Sequence, residues 1–133
     1  MSSVVDSGPL IALLEPREQH HQWAVATFAH LPAPWLTCEA VLTEAFFQLH
    51  PAPARFLASF LRKGTVRVAF DLSENLLPVL ALRDKYADLP MALADACLVR
   101  MSETLPDPVI VTTDADFRIY RRHGRRVVPV LMP

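Results

Sequence analysis

Short runs of β-branched and apolar residues alternate with longer helical patterns along almost the whole of this sequence. The run Val109-Ile-Val-Thr112 is typical, because it is apolar almost without interruption, as a strand buried on both faces of a sheet should be. Prolines stand at the edges of most segments and separate one from the next. This pattern predicts strands at residues 3–6, 34–37, 66–70, 109–112 and 126–130. It predicts helices at residues 8–14, 17–31, 38–49, 53–63, 74–86, 90–104 and 115–122.

The alternation of strand and helix favours βαβ units, in which parallel strands are joined by right-handed helical crossovers. A chain of 133 residues is of the size of one domain, here residues 1–133. Its residues are 52% hydrophobic and 20% charged, which argues against disorder and fits a sheet covered on both faces. We therefore expect an α/β fold, a three-layer α/β/α sandwich with a parallel sheet of about five strands.

Charge and cysteine content limit which binding partners and which cellular compartment we expect. The formal net charge is −1, so any binding to a polyanion must come from a local basic patch. Cys38 and Cys97 stand alone outside any CxxC spacing, which excludes a thiolate zinc site and a disulfide scaffold and fits a reducing compartment. The N-terminus lacks the pattern of a signal peptide, and histidines and prolines interrupt the longest uncharged stretch. We expect a cytoplasmic protein without a membrane segment.

Acidic residues lie at the ends of two predicted strands. Asp6 ends the first strand, and Asp114 and Asp116 follow the strand at 109–112. The carboxyl ends of parallel strands meet at one edge of the sheet, where open α/β folds bind their ligands. Helix capping is an alternative explanation for either residue alone, because Asp accepts hydrogen bonds from the first free amides of a helix.

Asp95 is harder to explain as a purely structural residue. It lies in segment 91–99, which is apolar on nearly every side, and no Lys or Arg lies three or four residues away. A buried carboxylate without a partner is costly or becomes protonated, and a metal ion is one natural compensation. Contact with solvent, with a hydroxyl or with a distant arginine is the alternative.

Glu44 adds a fourth acid. It lies at one edge of the apolar stripe of the predicted helix 38–49, and Glu39 lies at the opposite edge, so either could be a solvated glutamate. Carboxylate oxygens with few nitrogens or thiolates select Mg²⁺ or Mn²⁺. Crowded carboxylates are costly without a cation. Together with the three aspartates, Glu44 predicts a divalent-metal site of the kind that hydrolyses phosphodiesters.

Four motifs carry these acids: Val4-Val-Asp6-Ser-Gly8, Val41-Leu-Thr-Glu44, Leu93-Ala-Asp95-Ala96 and Thr112-Thr-Asp114-Ala-Asp116-Phe117. In this order and spacing they resemble the PIN-domain family. Within that family the chain looks most like the VapC-type toxin ribonucleases of bacterial toxin–antitoxin pairs. Each motif alone is a single acid in an apolar context, whereas the four together are fairly specific. The resemblance covers essentially the whole chain.

The resemblance implies a Mg²⁺- or Mn²⁺-dependent endoribonuclease that cleaves RNA to leave a 5′-phosphate and a 3′-hydroxyl. The catalytic quartet of the family matches four residues here: Asp6, Glu44, Asp95 and Asp114. Asp116 matches a less constant fifth acid, so the implied metal ligands are Asp116 and the three aspartates of the quartet. Ser7 and Thr112 match polar residues near the metal and are expected to contact substrate. The resemblance also implies a homodimer and a small antitoxin protein whose tail enters the acidic groove.

Basic residues are concentrated after Asp114. Five of the chain's 13 Lys and Arg residues lie there: Arg118, Arg121, Arg122, Arg125 and Arg126. We interpret Arg118, Arg121 and Arg122 as substrate-binding residues that contact RNA phosphates beside the metal site. An alternative is that solvated arginines favour the dipole at the end of a helix.

Two other classes of function stay open. A phosphoacceptor or phosphohydrolase on a similar sheet would need a strand-end lysine, and the chain has only Lys63 and Lys85. A non-catalytic PIN-fold module that binds RNA or protein would keep the fold without the chemistry. Phe47 is predicted to face a partner, and five other aromatic residues are predicted in the core: Trp23, Phe28, Phe46, Phe60 and Phe70.

Overall fold

Strands and helices alternate along the chain in a computed structural model that describes residues 1–133. The strands are β1 (Ser2–Val5), β2 (Trp35–Thr37), β3 (Val66–Val68), β4 (Pro108–Val111), β5 (Arg121–Arg122), β6 (Arg126–Val127) and β7 (Val130–Leu131). The helices are α1 (Ser7–Leu14), α2 (His21–His30), α3 (Glu39–Gln48), α4 (Pro51–Lys63), α5 (Leu76–Lys85) and α6 (Leu93–Thr104). None of these helices combines the length with the apolar character that crossing a membrane requires.

Five strands form one parallel sheet in the order β3-β2-β1-β4-β7. The sheet confirms the predicted α/β class and the predicted number of strands. Strand β1 lies at its centre, and its register with β4 pairs Val4 with Ile110 and Val5 with Val111. The chain leaves β1 towards β2 on one side and returns to β4 on the other, so the strand order reverses between β1 and β4. Open α/β sheets bind ligands in the crevice at such a reversal.

Helices cover both faces of the sheet. The central residues Val4, Val5, Ile110 and Val111 have no exposed surface, as expected for strands buried on two sides. Helix α1 packs against α2, α3 and α4, while α5 packs against α6. The result is the three-layer α/β/α arrangement that the sequence predicted.

The segment after β4 differs from the prediction. The predicted helix at 115–122 is only a 3₁₀ turn at Ala115–Arg118, and Arg121–Arg122 pair antiparallel with Arg126–Val127 instead. Strands β5 and β6 thus form a separate C-terminal ribbon, and the predicted strand 126–130 is divided between this ribbon and the sheet-edge strand β7. The chain reverses at His123 and Gly124, which both have positive φ. A turn with His at a positive-φ position gives little signal in the sequence, because Asn, Asp or Gly usually occupies such positions.

Two further expectations need correction at helices. The predicted helices 17–31 and 90–104 begin later, at His21 and Leu93. Phe46 was predicted in the core, and this is wrong, because α3 buries Val41 and Ala45 and leaves Phe46 39% exposed. Phe47 beside it is 89% exposed.

Candidate active site

The carboxylate of Asp6 lies at the carboxyl end of β1 with both oxygens held. The Asp6 N–H donates to the Val111 carbonyl at 3.0 Å, so the pairing of β1 with β4 continues to this residue. Its Oδ1 accepts the Ser7 N–H at 2.7 Å, which caps α1, and its Oδ2 accepts the Thr112 hydroxyl at 2.7 Å. The predicted capping role of Asp6 is therefore correct, but it occupies only one of the two oxygens.

Thr112 connects Asp6 to the acids that follow β4. Its hydroxyl accepts the Asp114 N–H at 3.0 Å, and the Asp114 Oδ1 accepts the Asp116 N–H at 2.9 Å. Asp114 thereby caps the 3₁₀ turn, as the alternative explanation expected. A continuous chain of hydrogen bonds runs from Asp6 through Thr112 to Asp114 and Asp116.

The two remaining acids come from helices and are held by one hydroxyl each. Glu44, in α3, accepts the Ser7 hydroxyl on Oε2 at 3.0 Å. Asp95, in the first turn of α6, accepts the Tyr120 hydroxyl on Oδ2 at 3.0 Å. The other oxygen of each carboxylate accepts no hydrogen bond from the protein.

Burial and neighbouring charge raise the pKa of Asp6. The carboxyl is buried, and this raises its pKa from the ordinary 3.8 to about 6, although the hydrogen bonds from Thr112 and Ser7 act in the opposite direction. The charges of Glu44 and Asp114 raise it further. Asp6 therefore lies within electrostatic range of acids from both a helix and a strand end.

The pKa of Asp95 is raised by burial and by the charges of the other three acids. Burial raises its pKa from 3.8 to about 7, with a further contribution from Asp6, then smaller ones from Asp114 and Glu44. The three ion pairs of the structure involve none of these acids. The fold thus brings together the four acids singled out in the sequence, and we call them the acidic site: Asp6, Glu44, Asp95 and Asp114.

The donor set of the acidic site fits a divalent cation. Carboxylate and hydroxyl oxygens are hard ligands, and a cation would relieve the mutual repulsion that no Lys or Arg relieves here. The side chains do not, however, stand in a ligating arrangement, since no three His, Cys, Asp or Glu side chains form a group that could hold a metal ion. The predicted metal ligation by Asp6, Asp95, Asp114 and Asp116 stays a prediction.

Tyr120 is the residue that the sequence reasoning missed. Its side chain is fully buried, and its ring packs edge-on against Phe117 and Tyr86, with centroids 5.2 and 5.1 Å away. The only available signal was the general rule that a buried tyrosine hydroxyl needs a partner. Nothing in the sequence indicated that this partner is Asp95.

The arginines near the acidic site differ in the hydrogen bonds and the burial of their guanidinium groups. Arg118 is exposed, and its guanidinium makes no hydrogen bond. The Arg121 Nη1 donates to the carbonyls of Arg118, Ile119 and Tyr120 at 2.7–3.1 Å, so this side chain stabilises the turn before β5. The Arg122 Nε is buried without a partner. Their role in binding substrate stays a prediction.

A separate cleft of about 530 Å³ opens beside the carboxyl ends of β2 and β3. Glu39 lines this cleft, whereas no member of the acidic site does, so the two glutamates of α3 serve different surfaces. Cys38 and Cys97, far apart in the sequence, line it together as free, buried thiols. Their contact and their burial raise the pKa of Cys38.

Comparison with known families gives one match. The family model described as PIN domain matches residues 3–122, a range that begins in β1 and ends in β5. The range contains the complete acidic site and Tyr120. A search of curated proteins gave no match.

Proposed function

The chain belongs to the PIN domain family, whose members are generally nucleases, and we propose that it is a Mg²⁺- or Mn²⁺-dependent endoribonuclease, the toxin of a type II toxin–antitoxin pair. One observation carries the catalytic part of this proposal. Four carboxylates without ion-pair partners converge where the strand order reverses, and, beyond burial, the charges of Glu44 and Asp114 raise the pKa of both Asp6 and Asp95. Such a cluster is costly unless it serves to bind a cation.

Within this proposal the cation is held by the aspartates at the strand ends and on α6: Asp6, Asp95, Asp114 and Asp116. When bound, Mg²⁺ or Mn²⁺ lowers the pKa of water and offsets the negative charge of a phosphodiester. Glu44 has a free Oε1, since only Oε2 accepts the Ser7 hydroxyl. We assign to this oxygen the removal of a proton from the attacking water.

The hydroxyls of Ser7 and Thr112 orient carboxylates in this mechanism. Thr112 uses its hydroxyl as donor to Asp6 and as acceptor from Asp114, and because it is fully buried it has no surface open to substrate. Ser7 donates to Glu44 and fixes the oxygen that does not take the proton. Both residues act on substrate through the acids they hold.

RNA is the proposed substrate, and exposed arginine is the proposed contact to its backbone. Arg118 stands on the 3₁₀ turn that follows Asp114, and its guanidinium has no partner in the protein. Phosphate contacts of this kind supply affinity without sequence preference. Arg121 and Arg122, in the adjacent strand β5, extend the same basic surface.

A small antitoxin protein and a second copy of the chain are the proposed protein partners. The support is the order of the four motifs together with large apolar side chains on the surface. Phe47 is 89%, Leu77 78% and Phe56 62% exposed. Apolar surface of this kind is typical of faces that a partner covers. A cytoplasmic location belongs to the same proposal.

Cleavage of structured and single-stranded RNA by wild type, Asp6→Asn and Asp88→Asn tests the nuclease. Asp88 is exposed and lies outside the acidic site, so Asp88→Asn is the matched control for removing one charge. We expect cleavage with Mg²⁺ or Mn²⁺, none with EDTA, and loss of cleavage in Asp6→Asn alone. Binding of Mn²⁺, followed by the electron paramagnetic resonance of the free ion, is measured on the same proteins.

The outcome that contradicts the proposal is a folded wild type that neither cleaves RNA nor binds Mn²⁺. That result would favour the alternative function, a non-catalytic PIN-fold module that binds RNA or protein. The toxin assignment has its own test. If a small DNA-binding protein is encoded in the neighbouring reading frame, it should co-purify with this chain and suppress the cleavage.

A further inference from the structure

Tyr120 is fixed more firmly than its position in the short connection between the 3₁₀ turn and β5 would suggest. It directly precedes β5, and its N–H donates to the Asp116 carbonyl at 3.1 Å. Its ring is fully buried between Phe117 and Tyr86. A side chain with so little freedom holds its hydroxyl at one place, so the hydroxyl can act as a rigid support.

The Tyr120 hydroxyl donates to a single carboxylate oxygen. It donates to the Asp95 Oδ2 at 3.0 Å, and this is the one hydrogen bond that the Asp95 side chain makes with the protein. Without it, the carboxylate of a half-buried aspartate in the first turn of α6 would rotate freely about its terminal torsion. The bond therefore restricts which oxygen of Asp95 is left for the acidic site.

The same residue also connects the two sources of acids. The 3₁₀ turn that precedes Tyr120 is capped by Asp114 at the strand end of β4, whereas Asp95 belongs to α6. Tyr120 thus hydrogen-bonds to Asp95 through its hydroxyl and, through its N–H, to the Asp116 carbonyl in the turn that Asp114 caps. Tyr86, its neighbour in the same aromatic cluster, uses its own hydroxyl to accept the Arg121 N–H at 2.8 Å and does not contact an acid.

We propose that Tyr120 is a positioning residue that holds the Asp95 Oδ2 and so leaves the Asp95 Oδ1 as the atom that binds a divalent cation in the acidic site. The inference rests on the proposed function, because it assigns Tyr120 a role in cation binding. Partners that orient a ligand of a metal typically change metal affinity by about 10- to 100-fold when they are removed.

Binding of Mn²⁺ to Tyr120→Phe, measured by the electron paramagnetic resonance of the free ion, tests the proposal. Tyr86→Phe is the matched control, since it removes the same atom from the same aromatic cluster without touching Asp95. We expect Tyr120→Phe to weaken Mn²⁺ binding by about 10-fold or more and Tyr86→Phe to change it less than about two-fold. Thermal unfolding of both variants shows whether they lose similar stability.

A double-mutant cycle with Asp95→Asn identifies the route of the effect. If Tyr120 acts through Asp95, Tyr120→Phe should weaken Mn²⁺ binding by less than about two-fold when Asp95→Asn is already present. An undiminished effect in that background would show that Tyr120 acts elsewhere and would overturn the proposal.

A measurement that leaves Tyr120 in place covers the case in which Tyr120→Phe does not fold. The chain has only two tyrosines, so 3-fluorotyrosine incorporated into Tyr86→Phe labels position 120 alone. We expect Mg²⁺ to shift its ¹⁹F resonance saturably, and not in Asp95→Asn. If the protein binds Mn²⁺ but shows no such ¹⁹F shift, or if Tyr120→Phe binds Mn²⁺ with unchanged affinity, the inference about Tyr120 is overturned while the proposed metal dependence stands. Wild type that binds no Mn²⁺ overturns this inference and the proposed metal dependence together.

Discussion

The acidic site has two halves that are built differently. The strand half, Asp6 and Asp114, is fixed by main-chain amides and by the Thr112 hydroxyl, which joins the two residues. The helix half, Glu44 and Asp95, is fixed by one hydroxyl each, and each hydroxyl comes from a distant part of the chain. The first half follows from local backbone geometry, whereas the second depends on the packing of whole elements.

This difference separates stability from activity. Loss of a contact in the strand half leaves buried groups without partners, and such groups are costly to the fold. Loss of a contact in the helix half frees a carboxylate that is only half-buried, so the free energy of unfolding should change less. Substitutions in the two halves should therefore be distinguishable by experiment, and the predictions below proceed from the largest expected effect to the smallest.

Asp114→Asn should reduce both cleavage and Mn²⁺ affinity by at least about 100-fold, because a ligand itself should matter more than the groups that orient it. The fold should persist, since the amide oxygen of Asn can still accept the Asp116 N–H that the Asp114 Oδ1 accepts. RNA cleavage and Mn²⁺ titration measure the effect, with Asp88→Asn as the control. Full activity in Asp114→Asn would remove the strand half from the site.

Thr112→Val and Ser7→Ala compare the two halves directly. Thr112→Val leaves the Asp114 N–H and the Asp6 Oδ2 without partners in a buried place, and we expect it to lower the free energy of unfolding by about 1–3 kcal/mol. Ser7→Ala removes one bond to the half-buried Glu44 and should cost about 1 kcal/mol or less. Urea unfolding of the metal-free proteins measures both. Equal losses would contradict the division into halves.

The raised pKa of Asp6, in the strand half, and that of Asp95, in the helix half, should both make the stability depend on pH. Folded Asp6 and Asp95 keep their protons up to about pH 6 and 7, whereas the unfolded chain releases them near 3.8. The folded chain therefore binds more protons between about pH 4 and pH 8, so these groups lower the free energy of unfolding as the pH rises. Asp6 alone accounts for about 3 kcal/mol, and after allowing for the partial exposure of Asp95 we expect a fall of about 4 kcal/mol in total.

Thermal unfolding in EDTA at several pH values checks this prediction. Asp95→Asn should have a higher Tm than wild type at about pH 8 and a similar Tm at about pH 5, since the substitution removes one of the two titrating groups. A wild-type Tm that rises steadily from pH 5 to 8 would contradict the raised pKa values.

Arg118→Ala should have the smallest effect. Removing one phosphate contact should lower the slope of log affinity against log salt by about 0.7 for single-stranded RNA, with a loss of affinity of a few-fold. Arg62→Ala, an exposed arginine at the end of α4, is the control. A salt titration of RNA binding measures the slope, and identical slopes for the two variants would exclude Arg118 from the RNA contact.

The sequence predicted the sheet and the positions of Asp6 and Asp114 at strand ends, because both depend on short-range pattern. Apolar runs specify buried strands, and an acid at a strand end lies at the ligand-binding edge of a parallel sheet. The C-terminal ribbon was missed because a positive φ at His123 reverses the chain within an arginine-rich stretch. Tyr120 was missed because its contact with Asp95 spans 25 residues and depends on how α6 packs beside the ribbon.

The pairing of β1 with β4 has a consequence for how the protein folds during synthesis. Asp6 is translated well before Thr112, which hydrogen-bonds to it and follows 106 residues later. Strand pairing over such a separation is slow to nucleate, because a long loop must close before any contact rewards it. A nascent chain that ends before β4 carries Asp6 and Glu44 but has neither the central pairing nor Asp114. A product that terminates before β4 therefore lacks Asp114 and this partner of β1, so the proposed activity requires that β4 has been synthesised.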